Sequence, residues 1–292
     1  MTTFLQTLTD GLSIGLTIGG LALALAVVFQ GSGIVNFSQG QLATVAAYLA
    51  WQFTAWGAGF WPALLMSVVL SFALGMLIQA AFIRPILGRE ELPILIVTVG
   101  LFLLADSVIG TIWGYLPKSL AGPSQGTARV GEVVITGQVI VQAAVLLVVV
   151  GVTTALFRWT TIGLQMRAAA AHARSSELCG VSLSLTLALG WGIAAAVGAV
   201  TGAISAPVTG LSPDINSSTL LLAFAAAALG GFHSQAGALA GGLLVGCATS
   251  MAGEYVGFVG NDLRLLVPLT VIVLALLIAP DGIFARRRKV RV

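Results

Sequence analysis

Gln30, Asn36, Ser38, Gln39 and Gln41 put five amide or hydroxyl side chains into FQGSGIVNFSQGQLA, residues 29–43, with apolar sequence on both sides. Such groups are uncharged and break no covalent bonds. They hydrogen-bond, either to a polar solute or to the surrounding backbone. Gly31, Gly33 and Gly40 let the chain leave helical geometry among them. Two readings are open. One is a broken helix lining a polar path, with Asn36, Phe37, Ser38 and Gln39 along it. The other is a short turn at a membrane surface, where Ser38 or Asn36 caps the next helix. A related string, GGFHSQAGALAGGLL at 230–244, echoes Phe37-Ser-Gln-Gly and again opens an apolar run.

Asp106, in LFLLADSVIGTIWG, is the only ionisable residue well inside an apolar run. A charge at that depth costs roughly 2.5–3.5 kcal/mol and is kept for a reason. It is either a polar anchor on the path or a buried group satisfied by Ser107, Thr111 or a neighbouring helix.

A third segment, Gln165 to Cys179, runs QMRAAAAHARSSELC. Its four consecutive alanines favour a helix, and Gly180 stands where a glycine ends one. The segment is too polar to span a bilayer. A surface helix would need a larger apolar face than Ala provides, so the composition suits a protein groove better.

Other chemistry is missing. The only lysines are Lys118 and Lys289, no GxxxxGK[ST] occurs, and so no loop for ATP phosphates exists here. His172 and His233 lack Cys or carboxylate neighbours at ligand spacing, and Cys179 and Cys247 form no CxxC. No metal or cofactor is expected on this chain, nor any catalytic residue. The net charge of +3 says nothing of nucleic acid, because the basic residues follow topology.

The elements that must position these residues lie in lipid. Of 292 residues, 58% are hydrophobic and 8% charged, against about a quarter charged in soluble domains. The first basic residue is Arg84, so the N-terminus lacks the basic region of a signal peptide, and residues 11–30 are expected to remain as a span. Spans of about 20 apolar residues are expected at 11–30, 40–57, 61–83, 93–113, 138–157, 186–207, 236–252 and 264–280. Residues 219–230 are too short and read as a half-helix or a crossing completed by irregular backbone. The expectation is an all-α polytopic membrane protein, one domain over 1–292, with about eight transmembrane helices plus one short or broken helix.

Ten of the thirteen basic residues fall in 84–92, 158–185 and the tail 281–292. The positive-inside rule makes those segments cytoplasmic, the N-terminus external and the C-terminus cytoplasmic. Glycines four apart, at 11/15/19, 110/114, 198/202, 237/241 and 242/246, predict close helix packing.

Several strings, taken in order, resemble one family. They are Gly33-Ile-Val-Asn-Phe-Ser-Gln-Gly, Leu92-Pro-Ile-Leu-Ile-Val-Thr-Val-Gly-Leu and Met166-Arg-Ala-Ala-Ala with Leu178-Cys-Gly-Val. Leu229-Gly-Gly-Phe with Gly237-Ala-Leu-Ala-Gly-Gly, and Ile278-Ala-Pro-Asp-Gly-Ile-Phe before the basic tail, complete them. The chain thereby resembles the smaller (LivH-type) permeases of branched-chain amino-acid ABC importers in the bacterial plasma membrane. The resemblance implies a heterodimer with a second (LivM-type) permease, two cytoplasmic ABC ATPases and an extracytoplasmic substrate-binding protein. It also implies that 167–180 is a cytoplasmic coupling helix, with Arg167, Ala168, Ala169, Ala170, Arg174, Glu177 and Gly180 meeting the ATPase. Two departures stand out: Glu177, where members tend to have Ala, and His233-Ser-Gln, where many have a Gly-Ser step. Relatives that carry urea or short amides are the alternative within the family. A stand-alone secondary transporter or channel is the alternative outside it, and would call for more intramembrane charge and no docking helix.

Overall fold

The first apolar run becomes α1 (Thr2–Ser32), and α10 (Gln235–Tyr255) runs antiparallel along it. Gly11, Gly15 and Gly19 lie against Cys247, Leu243 and Leu239, while Gly246 and Gly242 meet Gly15 and Gly19 backbone to backbone. No hydrophobic force joins helices within lipid, so such close approach supplies dispersion contacts in its place. The computed structural model describes residues 2–87, 91–124, 126–130 and 133–255, with Thr270, Val273 and Gly282.

Between those two helices the chain forms α2 (Gln39–Ala55), α3 (Phe60–Ile78), α4 (Glu91–Trp113), α5 (Gly137–Trp159), α6 (Thr161–Ala171), α7 (Ala173–Leu178), α8 (Leu183–Thr209) and α9 (Ile215–Gly230). A π-helical turn, Gln79–Ile83, and a 3-10 turn, Arg84–Ile86, extend α3. Among the described residues, six helices are long and apolar enough to cross a membrane: α1, α3 with its extension, α4, α5, α8 and α10. The structure is thus a helical, polytopic membrane protein. The expected span at 40–57 is the 17-residue α2, and 219–230 is the 16-residue α9. At 1.5 Å per residue both rise only about 25 Å, less than the ~30 Å hydrocarbon core. The expected span at 264–280 and the basic tail lie outside the described residues, apart from Thr270, Val273 and Gly282.

One element departs from the all-helical expectation. Within the 114–137 loop, β1 (Thr127–Val130) and β2 (Val133–Thr136) pair antiparallel, Thr127 opposite Thr136. β-Branched residues on both sides of Gly131-Glu132 favour strands over helix, and the sheet meets α1 where Val134 N–H donates to Gln6 Oε1 at 3.1 Å.

The core gives the bundle two distinct ends. At one end Ile83, Phe157, Met166, Trp191 and Val28 share an apolar cluster, which brings the loops bearing Arg84 and Arg158 together. At the other, Lys118 and Leu211 exchange backbone hydrogen bonds of 2.8 and 3.0 Å, and the Lys118 ammonium sits 4.2 Å over the Trp51 ring. The chain enters α9 near this second end and leaves it at the first, where Gly230 packs on Gly237. Residues 210–230 therefore carry the chain from one end to the other although α9 itself is short.

Candidate functional site

α1 does not hand over to α2 at a membrane surface. Gly33, at φ +70°, turns the chain out of α1, and residues 34–38 climb back into the bundle before Gln39 starts α2. The depth follows from Gln39, whose Nε2 donates to the Ala194 carbonyl at 2.9 Å. Ala194 lies roughly 16 Å along α8 from Leu183. The broken-helix geometry is therefore present, and the surface turn is not.

The amides at the break are closed on themselves. Asn36 Oδ1 accepts from Ser38 N–H at 3.0 Å and from Ser38 Oγ at 2.7 Å, while Asn36 Nδ2 donates to Gln39 Oε1 at 3.1 Å. Asn36, Ser38 and Gln39 are fully buried. Ser38 holds the cap position of α2, yet its side chain makes no cap bond. Asn36 instead folds an Asx turn that presets the helix start. Phe37 alone of the four is half-buried, stacked on Phe224 with centroids 4.8 Å apart.

Asp106 joins this neighbourhood. Gln41, on the first turn of α2, donates from Nε2 to Asp106 Oδ1 at 3.2 Å. A neighbouring helix, rather than Ser107 or Thr111, thus meets the carboxylate. The hydroxyls of Ser107 and Thr111 bond to Leu103 and Ser107 carbonyls within their own helix. Asp106 is half-buried, whereas Gln41 is fully buried and its Oε1 has no hydrogen-bond partner.

The two related strings meet by another route. Gln235 Nε2 donates to Gln30 Oε1 at 2.8 Å, and Gln30 Nε2 donates to the Phe232 carbonyl at 3.2 Å. Phe29 packs against both Phe232 and His233, at 5.1 and 5.3 Å between centroids. Their local roles differ, because Ser234 Oγ accepts from Gly237 N–H at 3.0 Å while Ser38 caps nothing.

The polar loop is two helices where one was expected. Thr160 Oγ1 caps α6 by accepting from Gly163 N–H at 3.1 Å. His172, at φ −150° and ψ 86°, breaks the run. Its carbonyl then accepts from both N–H and Oγ of Ser176, at 3.0 Å each, starting α7. The Oγ bond reinforces the first i to i−4 backbone bond of α7. The end matches the expectation: Gly180, φ +84°, donates to the Glu177 carbonyl at 2.9 Å, and Val181 N–H reaches Ser176 at 3.0 Å, a Schellman closure.

Met166 and Ala169 bury the inner face of α6. Ala168 and Ala170 are half-buried, and Arg167, Arg174, Glu177 and Gly180 are exposed. Ala169 therefore faces the bundle, and the outer face carries the charges. Sequence reasoning missed Leu164 and Leu178, apolar side chains left 60% and 87% exposed on this polar loop. Their signal was an apolar residue where the segment is otherwise hydrophilic. It also missed a buried link in which Gln142 Nε2 donates to Thr17 Oγ1 at 3.1 Å and Ser205 Oγ at 3.0 Å. Among the described residues no group of three His, Cys, Asp or Glu side chains stands ready for a metal.

With a broken helix held by buried amides, short helices beside full spans and a polar helical loop, the described residues form a polytopic membrane protein. The chain belongs to the family of branched-chain amino acid transport system permease components, whose model matches residues 7–276. The high-affinity branched-chain amino acid permease protein LivH of Escherichia coli K12 is 27% identical, over 97% of this chain and 96% of that one. LivH of Salmonella typhimurium is 26% identical and BraD of Pseudomonas aeruginosa 27%, each over 97% of this chain and 96% of its own. A solved complex of PsaBC from Streptococcus pneumoniae with a Fab superposes with a TM-score of 0.48 at 16% identity, over 95% of this chain and 92% of that one. The chain is a transport subunit and not an enzyme.

Proposed function

We propose that this chain is one of two permease subunits of an ATP-driven importer for branched-chain amino acids, resident in the bacterial plasma membrane. A second permease completes the path, two cytoplasmic ATPases supply energy, and an extracytoplasmic binding protein delivers the solute. The single observation that carries the reading is the family match over residues 7–276. The loop of α6 and α7 agrees with it: a chain without a phosphate-binding motif presents an exposed polar surface, anchored to the bundle through Met166 and Ala169.

The α6–α7 pair acts as the coupling element, with Arg167, Arg174, Glu177 and Gly180 toward the ATPase and Ala168, Ala169 and Ala170 toward the bundle. The path runs beside Phe37 and Asp106, and the buried Asn36, Ser38 and Gln39 hold the backbone break that shapes it. With α2, α9 and the 264–280 run each counted as a crossing, the chain crosses nine times. Its N-terminus is then outside and its basic tail inside. Uptake of labelled leucine, isoleucine and valine into proteoliposomes holding the complete complex tests the function. Import that requires ATP and the binding protein supports it, and absence of import with all subunits present refutes it.

A further inference from the structure

Asp106 is in an unusual position for an intramembrane carboxylate. It lies in the Leu92–Trp113 span, is only half-buried, and has no Lys, Arg or His ion-pair partner among the described residues. Its one hydrogen bond there comes from Gln41 Nε2, at 3.2 Å. Gln41 itself is fully buried, and its Oε1 is left without a donor. The Oε1 atoms of Gln79, Gln138 and Gln142 share this state among the described residues, but of the four only Gln41 has an amide that also donates to a carboxylate. Together the half-buried carboxylate and the buried amide oxygen offer acceptors, and their one donor, Gln41 Nε2, is already engaged.

The surroundings are apolar and aromatic. Phe102 lies one helical turn from Asp106 on α4, and Phe37 lies in the break just before the α2 turn that carries Gln41. Phe37 stacks on Phe224, and Phe102 and Phe224 pack on the same cluster of α1, α2, α9 and α10 residues. All three rings are half-buried.

We infer that Asp106 and Gln41 receive the α-ammonium group of an amino acid, while Phe37, Phe102 and Phe224 meet its aliphatic side chain. An ammonium brings three N–H donors and a positive charge, which the carboxylate and the idle amide oxygen match. A metal ion fits poorly, because among the described residues no second carboxylate, His or Cys joins the group. A neutral urea or short amide brings N–H donors to the same acceptors but leaves the Asp106 charge uncompensated. This inference rests on the importer function proposed above and identifies the part of the solute that the path reads.

The test uses the complete complex in proteoliposomes, with loaded binding protein saturating. Asp106→Asn is expected to lower leucine uptake about tenfold or more, the scale of a lost charge-assisted hydrogen bond. Asp106→Glu keeps most of the uptake, Gln41→Leu lowers it, and the ATPases co-purify with all three variants. Leucine uptake by Asp106→Asn at the wild-type rate overturns the ammonium site while leaving the importer function standing. Equal loss in Asp106→Asn and Asp106→Glu, with the ATPases no longer co-purifying, also overturns it, since a packing residue behaves that way. A wild-type complex that imports urea or acetamide and no leucine overturns both.

Discussion

Gly19 and Gly242 touch backbone to backbone, so closely that a methyl group on Gly242 would overlap the Gly19 Cα. The contact sits midway along the antiparallel α1 and α10, with Gly15 and Gly246 repeating it one turn away. Gly242→Val is therefore expected to force the helices apart, at about 1–3 kcal/mol or more for overpacking. The melting temperature in detergent should fall clearly. Gly100→Ala, where a new Cβ meets nothing within 4 Å, is the control and should leave it unchanged. Equal melting of both variants would refute the close-packing account.

The Asx turn at Asn36 predicts a second loss. Asn36→Ala strands Ser38 N–H, Ser38 Oγ and Gln39 Oε1 in a buried site. Each stranded group costs about 1–3 kcal/mol. Asn36→Asp keeps the acceptor for Ser38 but gives up the donor to Gln39, and puts a charge where no cation waits. Both variants should melt earlier than wild type, which thermal unfolding in detergent reads directly. An unchanged melting temperature for Asn36→Ala would show that the turn forms without its side chain.

The outer face of α6–α7 is the proposed docking surface, and the inner face packs on the bundle through Met166 and Ala169. Leu178→Asp alters a side chain that is 87% exposed and should reduce ATPase co-purification with little effect on melting. Met166→Ala opens a cavity beside Phe157 and Trp191 and should cost about 2–5 kcal/mol of stability. If Leu178→Asp retains the ATPases at the wild-type level, the exposed face is not where they bind.

Thr160 caps α6, and its removal should be felt locally. Thr160→Ala takes away the acceptor for Gly163 N–H, a loss of about 1 kcal/mol for a helix cap. Hydrogen exchange at residues 163–166 should quicken while α8 amides exchange as before. Thr160→Ser restores the oxygen and should restore protection.

Much of this arrangement was legible in the sequence because lipid leaves few choices. Long apolar runs had to become spans, and the basic residues identified which loops share an end. Glycines at 15, 19, 242 and 246 announced a close contact, although nothing in their spacing said that they would meet one another. Gly180 ended its helix as glycines at that position do. The depth of α2 was not legible, since the same amides suit a surface turn or a buried break. Only the Gln39–Ala194 bond, between residues 155 apart, decides between them. The interruption at His172 was hidden by the strong helix propensity of the four alanines before it, which the extended geometry of His172 overrides. The partner of Asp106 was equally out of reach, because α2 and α4 meet only through the tertiary fold.

The π-helical turn at Gln79–Ile83 gives α3 one residue more than an unbroken helix over the same rise would need. Shortening α3 by one residue elsewhere turns everything beyond the deletion by about 100° and carries Arg84 away from its place at the basic end. Removing a residue inside Gln79–Ile83 instead converts the wide turn into an ordinary one and leaves both flanks in phase. The helix thus contains one place where the chain can lose length without losing direction.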